Sequence, residues 1–451
     1  MNYLRDNKNI YRLLIILVIA GSLLRLFVCF QHNPLDYLFS DPLRHWLNGA
    51  RFFHPDIIGA SDPFLYQVYI FILRVLTGDN RYLIAITCGI LSAIMPWTYY
   101  RSVREFGFSR NSAMVVWALI AWMPSLFTIY HYIAMETILM PLLGLSIWMT
   151  GRFMRKGTMG AWIIVVFCWT LACLTKATVV PLAAVCLIYS LWILKDRIGQ
   201  PCPSTECKER QDNTAPPYHP NNSLMKSRIR YAATGLLLVI LLFLPNALRT
   251  KHYLGFFAPL GNPWIVKIQH YSGAREIKID SGKSKFRFAS PSVTIRPLTP
   301  LSLWAIRRAW EDTTVIVKID PANGEKDWQR TYQALNIGWK ERSLQLMENV
   351  ILFLFSPSWP DCNRHEWDGW LTHHLRWLWI PLIFFVFDCN LREFWRQQFC
   401  LIPVAVTVFP LFLAFQNLAT TEGRYRKPLE PLLLINLVWS VIPSASSGRK
   451  S

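Results

Sequence analysis

Apolar residues along the chain fall into separate blocks, and basic or polar residues fill the segments between them. Each block is roughly as long as the 17–25 residues that a transmembrane helix needs to cross a bilayer. The pattern therefore predicts an all-α polytopic membrane protein with about ten transmembrane helices. Their predicted ranges are 13–31, 82–100, 112–130, 133–150, 160–175, 177–194, 231–248, 371–388, 399–415 and 429–443.

The basic residues between the blocks predict how the chain is oriented. Short cytoplasmic loops carry an excess of lysine and arginine. The predicted span count places all the basic loops on one side, together with both termini. These loops are the N-terminus, 101–110, 152–156, 195–230, 392–396 and 449–450. We expect a multi-pass protein of the inner (plasma) membrane with both termini in the cytoplasm.

This topology divides the chain into three units. The first is an N-terminal transmembrane module, 1–248, with an outer loop at 32–81 and a flexible, proline-containing inner loop at 195–230. The second is an outer, extracytoplasmic segment, 249–370, and the third is a set of C-terminal transmembrane helices, 371–451. The expected fold is a helical membrane bundle with a small α+β segment on its outer side.

Smaller elements are predicted outside the spans. Alternating apolar and polar residues predict short strands at 276–279 and 286–295, and a helix is expected at 301–310. The apolar stretches 64–76 and 344–355 are too short to span a bilayer. We expect both to lie along the membrane interface as amphipathic helices.

The composition agrees with a membrane protein and argues against nucleic-acid binding. Of all residues 53% are hydrophobic and 17% are charged, and the net charge is +19. A soluble protein with this charge would suggest a nucleic-acid partner, but here the basic residues flank the apolar blocks. Membrane orientation and contact with anionic lipids explain most of them.

The first candidate for chemistry is Asp41, just beyond the first predicted span. A partly desolvated carboxylate at the membrane boundary can orient a hydroxyl group or accept its proton. Asp41 also precedes Pro42, and aspartate followed by proline is a common start of a helix. The sequence leaves both roles open.

Two further charged residues, Glu136 and Lys176, lie at the predicted outer ends of apolar blocks. A carboxylate inside a membrane protein is costly and is a functional candidate for that reason. Glu136 equally fits a structural partner of Lys176 or of an arginine. Lys176 fits either a counter-charge for Glu136 or a contact with phosphate. Histidines such as His131 are expected at the interface instead of at a metal site.

A basic cluster, Arg424-Tyr425-Arg426-Lys427, precedes the last predicted span. Cations at an outer end oppose the usual loop bias, so orientation does not explain them. Arginine presents a planar fork that matches phosphate oxygens, and lysine adds a point charge. The cluster fits a phosphate-bearing lipid headgroup, and the alternative is nonspecific contact with lipid phosphates.

The order of these motifs resembles a known family. Phe39-Ser40-Asp41-Pro42, Met135-Glu136-Thr137, Leu174-Thr175-Lys176-Ala177 and Glu422-Gly423-Arg424-Tyr425-Arg426-Lys427-Pro428 follow one another along the chain. The arrangement is similar to the bacterial membrane glycosyltransferases of the GT-C superfamily. It lies close to the protein mannosyltransferase and aminoarabinose transferase group, which is family 39-like. That branch often has adjacent acidic residues in the first loop, whereas Pro42 follows Asp41 here, so the subfamily and substrate stay open.

The resemblance implies transfer of a hexosyl or pentosyl group from a polyprenyl-phosphate donor to a protein, lipid or glycan acceptor. Asp41 would then be the catalytic base, and Arg424 and Arg426 would hold the donor phosphate. Arg44, Glu136, Lys176, Tyr425 and Lys427 would line the substrate site. No cofactor is required, although a divalent cation at the carboxylates is left open. The alternatives are a transporter or flippase of lipid-linked sugars and a noncatalytic scaffold.

Overall fold

The computed structural model describes residues 8–38, 40–198, 220–271, 276–280, 285–289, 314–320, 323–334, 338–340, 343 and 423–441. Its helices are α1 (Lys8–Gln31), α2 (Ser40–Ala50), α3 (Ile57–Ser61), α4 (Phe64–Thr77), α5 (Arg81–Glu105), α6 (Arg110–Trp122), α7 (Pro124–Phe127), α8 (Glu136–Lys156), α9 (Met159–Thr175), α10 (Val180–Ile198), α11 (Pro220–Leu254), α12 (Pro263–Tyr271), α13 (Glu325–Ala334) and α14 (Glu430–Val441). Three strands, β1 (Glu276–Asp280), β2 (Lys285–Ala289) and β3 (Thr314–Lys318), form a small sheet. The predicted all-α membrane fold with a small α+β segment is confirmed.

Long apolar helices dominate the described part of the chain. Within it, 4 helices are long and apolar enough to cross a membrane, or up to 5 if a bent pair counts as one span. The four correspond to the spans predicted at 13–31, 82–100, 133–150 and 231–248. The apolar helices at the spans predicted from 160 to 194 are shorter. The spans predicted at 371–388 and 399–415 lie outside the described residues, so the full span count stays a prediction.

The span predicted at 112–130 is not one straight helix. α6 ends at Trp122, and the chain resumes as α7 and a 3-10 turn to His131, with a bend of 70° between the two parts. Pro124 is the first residue of α7, and Met123 is extended with φ −72° and ψ 115°. The ring of a proline disfavours the helical conformation in the residue before it, which accounts for the break.

Small and polar residues allow α5 and α8 to pack closely. A Cβ atom added at Gly144 of α8 would lie 2.1 Å from Oγ1 of Thr98 on α5. Ser102 on α5 donates a hydrogen bond of 2.7 Å to the carbonyl of Gly144. Such close contact of backbones is typical of packing between membrane helices. Around it, buried residues of α5, α6, α8, α9, α10 and α14 form the largest hydrophobic cluster.

The loop predicted at 32–81 is helical for most of its length. The predicted interfacial helix at 64–76 is observed as α4, which packs against α2, and Cβ at Gly49 would touch Ile70. α2 begins at Ser40, so Asp41 lies in its first turn instead of capping a helix that starts at Pro42.

The sheet, with strand order β2-β1-β3, lies in the segment 249–370 that is predicted to be extracytoplasmic. β1 pairs antiparallel with β2 and parallel with β3. The strand predicted at 276–279 is confirmed, the second strand occupies 285–289, and β3 was not predicted. The predicted helices at 301–310 and 344–355 lie outside the described residues. Ile279 of β1, Trp328 of α13 and Ile268 of α12 share a buried cluster with Ile58 of α3.

The predicted inner loop at 195–230 is helical at both of its ends. α10 continues to Ile198 and α11 begins at Pro220, so the helices extend further than the apolar pattern indicates. Residues 199–219 lie outside the described part of the chain.

Candidate active site

Four separate parts of the chain meet at one end of the helical bundle. Asp41 lies in the first turn of α2, Glu136 is the first residue of α8, and Lys176 follows the last residue of α9. Arg424 lies in the 3-10 turn that leads into α14. Because all of these positions are at helix ends, their side chains can reach one another without entering the middle of the bundle.

Asp41 contacts two arginines. Arg44 lies one turn further along α2, and its Nη1 is 3.2 Å from Oδ1 of Asp41. Arg424 donates from Nη1 and Nη2 to Oδ2 of Asp41, at 3.2 Å each. Residues that are 383 positions apart in sequence are therefore in direct contact. Predicted site residues from the two ends of the chain share one cluster.

Glu136 and Lys176 form a buried ion pair beside Asp41. Nζ of Lys176 lies 2.7 Å from Oε1 of Glu136, and Nε of Arg424 lies 3.8 Å from the same oxygen. Glu136 is thus the structural partner of Lys176 and of an arginine, one of the two roles that the sequence left open for it. Nζ of Lys176 also lies 4.4 Å from the centre of the Tyr425 ring, within the range of a cation–π interaction.

Asp62, which the sequence analysis did not select, extends the cluster. Its Oδ2 accepts from Nδ2 of Asn48 at 2.7 Å and lies 3.2 Å from Nε of Arg44. Nδ1 of His45 is 3.5 Å away. A signal for Asp62 exists in the sequence, because Ser61-Asp62-Pro63 repeats Ser40-Asp41-Pro42. The first tripeptide directly precedes α4, and the second begins α2.

These residues form a chain of alternating charges. Its order is Asp62, Arg44, Asp41, Arg424, Glu136 and Lys176. Each charge contacts at least one of opposite sign, which offsets the cost of removing it from water. We call this set the charge chain.

Exposure differs sharply among the carboxylates of the charge chain. The side chain of Asp41 is 25% exposed, whereas those of Asp62 and Glu136 are 9% and 0% exposed. A group that exchanges a proton with a substrate has to be reached by it. Asp41 is therefore the carboxylate best placed to contact an incoming hydroxyl.

Electrostatics keep Asp41 ionised. Partial burial raises the pKa of this carboxyl group, but the positive charges of Arg44 and Arg424 outweigh it and hold the pKa below its ordinary range. The pKa of Asp62 is also lowered, since Arg44 and His45 outweigh the effect of burial there. Both groups lie in the first outer loop and carry negative charge at neutral pH.

The other two cations of the basic cluster point elsewhere. Nε of Arg426 lies 3.3 Å from Oε1 of Glu430, and Ser125 of α7 donates to the second oxygen of Glu430. Nζ of Lys427 is 3.2 Å from Oγ1 of Thr128. These cations and Arg424 are buried, so nonspecific contact with lipid headgroups does not describe them. Their contacts attach the basic cluster to the bent segment after α6.

His131 also differs from its prediction. It was expected at the membrane interface, but it is fully buried, and its ring centre lies 5.0 Å from that of His32. In the described part of the chain, no group of three or more His, Cys, Asp or Glu is arranged to hold a metal ion.

Comparison with known protein families gives one match. Residues 61–205 match the family described as dolichyl-phosphate-mannose-protein mannosyltransferase. The resemblance predicted from the motifs is confirmed, and the match supports a membrane glycosyltransferase that uses a lipid-linked sugar. No curated protein and no solved structure matches the chain.

The matched range covers less than half of the chain. It contains Asp62, Glu136 and Lys176, whereas Asp41, Arg44 and Arg424 lie outside it. The predicted base and the predicted phosphate-binding residue therefore rest on the sequence motifs and on the geometry of the charge chain.

Proposed function

We propose that the protein transfers a sugar from a polyprenyl-phosphate donor to a hydroxyl group of an acceptor at the outer face of the membrane. One observation carries the proposal: the partly exposed carboxylate of Asp41 contacts the guanidinium of Arg424 at 3.2 Å. A carboxylate that can act as a base and a cation that can bind phosphate thus lie in one cluster, within reach of the same substrate.

The reaction is a single displacement. Asp41 takes the proton of the acceptor hydroxyl, whose oxygen forms a bond to the anomeric carbon of the sugar. The bond from that carbon to the phosphate oxygen breaks, and its electron pair leaves with the polyprenyl phosphate. Negative charge on the departing phosphate grows in the transition state, where a fixed cation stabilises it most. Arg424 supplies that cation.

The remaining predicted site residues have supporting roles in this proposal. Lys176 holds Glu136, which orients Nε of Arg424 from the buried side. Arg44 positions Asp41 on the opposite side and is itself held by Asp62. Arg426 and Lys427 attach the basic cluster to the bent segment through Glu430 and Thr128. Binding of phosphate by Arg426 and Lys427 stays a prediction. Their contacts with Glu430 and Thr128 do not favour it.

Asp41→Asn tests the base. The change keeps the size of the side chain but removes its ability to accept a proton, so transfer should fall by about 100-fold or more. The measurement is transfer of labelled sugar from a polyprenyl-phosphate donor to envelope acceptors in membranes that contain the variant.

Asp36→Asn is the matched control. Asp36 lies in the same loop and also pairs with an arginine, Arg81, at 2.9 Å, but this pair is exposed. Exposed ion pairs contribute little to stability, and transfer should stay at the level of the unchanged protein. Full transfer by Asp41→Asn would remove Asp41 from the mechanism.

A further inference from the structure

The cation proposed to hold the donor phosphate is already engaged by carboxylates. Nη1 and Nη2 of Arg424 are the two donors at the end of its fork, and both face Oδ2 of Asp41 at 3.2 Å. Nε faces Oε1 of Glu136 at 3.8 Å. The edge of a guanidinium that would bind two phosphate oxygens is the edge that Asp41 occupies.

The charge chain carries no surplus of positive charge. Its carboxylates Asp41, Asp62 and Glu136 are matched by the cations Arg44, Arg424 and Lys176. A phosphate adds negative charge, and like charges close together repel. Within this set, a phosphate that takes both donors at the end of the Arg424 fork has to replace Asp41 there.

Asp41 is the carboxylate best able to yield. Glu136 is fully buried, and Lys176 holds it at 2.7 Å. Asp62 is bound by Asn48 and Arg44 and is 9% exposed. Asp41 is 25% exposed, and its contacts with Arg44 and Arg424 are 3.2 Å each, longer than the 2.7 Å contacts that hold Glu136 and Asp62. Arg44 would still compensate its charge after it left Arg424.

We infer that Asp41 competes with the donor phosphate for Arg424, so that binding of the donor releases the base. This inference rests on the proposed function and deepens it, because it predicts an order of binding. The donor binds first and takes over Arg424. Asp41, relieved of one of its two cations, then becomes a stronger base at the moment when a hydroxyl group can use it.

The competition makes an unusual prediction for the variant that cannot catalyse. Asp41→Asn removes the competing charge, so the chain should bind a polyprenyl monophosphate about three- to tenfold more tightly than the unchanged protein. The probe is the labelled lipid without sugar, and binding is measured at equilibrium with the full chain in detergent. A residue that merely supports the site would weaken binding when changed.

Three further variants complete the experiment. Asp41→Ser also removes the charge and should bind more tightly, which guards against a local effect of asparagine. Asp36→Asn should bind as the unchanged protein does, since Asp36 pairs with Arg81. Arg424→Ala should lose most of the binding. Size-exclusion chromatography confirms that each variant is folded.

The outcomes separate the two proposals. Equal or weaker binding by both Asp41 variants, with clear binding by the unchanged protein, would overturn the competition and leave the proposed function standing. Absence of saturable binding in the unchanged protein and in every variant would overturn the proposed function as well.

Discussion

At the scale of single residues, Asp41 lies between Arg44 and Arg424, and this position sets its chemistry. Two neighbouring cations lower the pKa of the carboxyl group below its ordinary range despite partial burial. A carboxylate with a lowered pKa is a weak base. Sharing Arg424 with a phosphate would weaken one of the two interactions, so the basicity of Asp41 would rise in the complex with the donor.

The pH dependence of transfer should reflect this change. The value of kcat/KM for the donor reports the free protein, in which Asp41 is ionised above its lowered pKa, so no loss of activity from its protonation is expected above about pH 5. The value of kcat reports the complex, and its acidic limb should lie at higher pH. A coincidence of both limbs, or an acidic limb in kcat/KM near neutral pH, would contradict the account.

The same lowered pKa gives the sign of its effect on stability. A carboxyl group whose pKa is lower in the folded chain stabilises the fold above the pKa of the unfolded chain. That contribution is lost as the pH falls through the lowered, folded-state value. Protonation of Asp41 therefore does not destabilise the fold at mildly acidic pH.

The sequence predicted some of these residues and missed others for physical reasons. The fork of Arg424, the early Asp41 and the pairing of Glu136 with Lys176 follow from charges at the ends of apolar blocks. Asp62 was missed because its loop has no long apolar block beside it that would mark a buried carboxylate. For Arg426 and Lys427, contact with phosphate stays a prediction, and the apolar pattern did not indicate that Glu430, the first residue of α14, lies 3.3 Å from Arg426.

At the scale of elements, a buried arginine in α1 holds the bend between α6 and α7. Arg25 is fully buried and donates to the carbonyls of Ile120 and Ala121 at 2.6 and 2.9 Å. It also donates to Ser92 of α5, at 3.1 Å to the carbonyl and to the hydroxyl. The last carbonyls of a helix lack partners within it, and the negative end of the helix dipole favours a cation there.

Arg25→Leu should therefore destabilise the protein strongly. The change leaves several buried carbonyls without a donor, at a cost of about 1–3 kcal/mol for each. Thermal unfolding in detergent should occur at a clearly lower temperature, and transfer should fall because Ser125 and Thr128 no longer hold Glu430 and Lys427 in place. Arg12→Leu, at an exposed position of the same helix, is the control. Equal stability of the two variants would show that Arg25 does not hold the bend.

The hydrophobic blocks predicted which segments form helices. They predicted less well where those helices end and where they bend. The apolar pattern runs unbroken through Met123-Pro124, and only the proline marks the change of direction there. The strand β3 was missed because it pairs in parallel with β1 from a distant part of the chain. Short range patterns do not reveal such a partner.

At the scale of the whole molecule, the described helices have two chemically different ends. The charge chain lies at one end. At the other end Arg155 pairs with Glu105 at 2.7 Å, and the Arg110 guanidinium lies 4.2 Å from the Tyr11 ring centre. These basic residues come from the loops predicted to be cytoplasmic, so the predicted topology places the charge chain on the outer side.

The outer segment is linked to the site through α3. Ile58 and Ala60 of α3 belong to the same buried cluster as Phe256 and Trp328, and Asp62 follows α3 directly. Gly261, with φ +99°, approaches so closely that a Cβ atom there would lie 2.6 Å from the carbonyl oxygen of Ser61. The segment therefore helps to position Asp62, and through it Arg44.

The central claim is that the bond between the sugar and the lipid phosphate is broken, and that the intact donor is not merely carried across the membrane. A donor labelled in both its sugar and its lipid phosphate distinguishes these outcomes when the purified protein is reconstituted into liposomes with envelope acceptors. We expect sugar label to appear in a new glycoside in a ratio of one to one with labelled polyprenyl monophosphate. Movement of the intact donor between leaflets, with both labels still on one molecule, would contradict the account and identify a transporter.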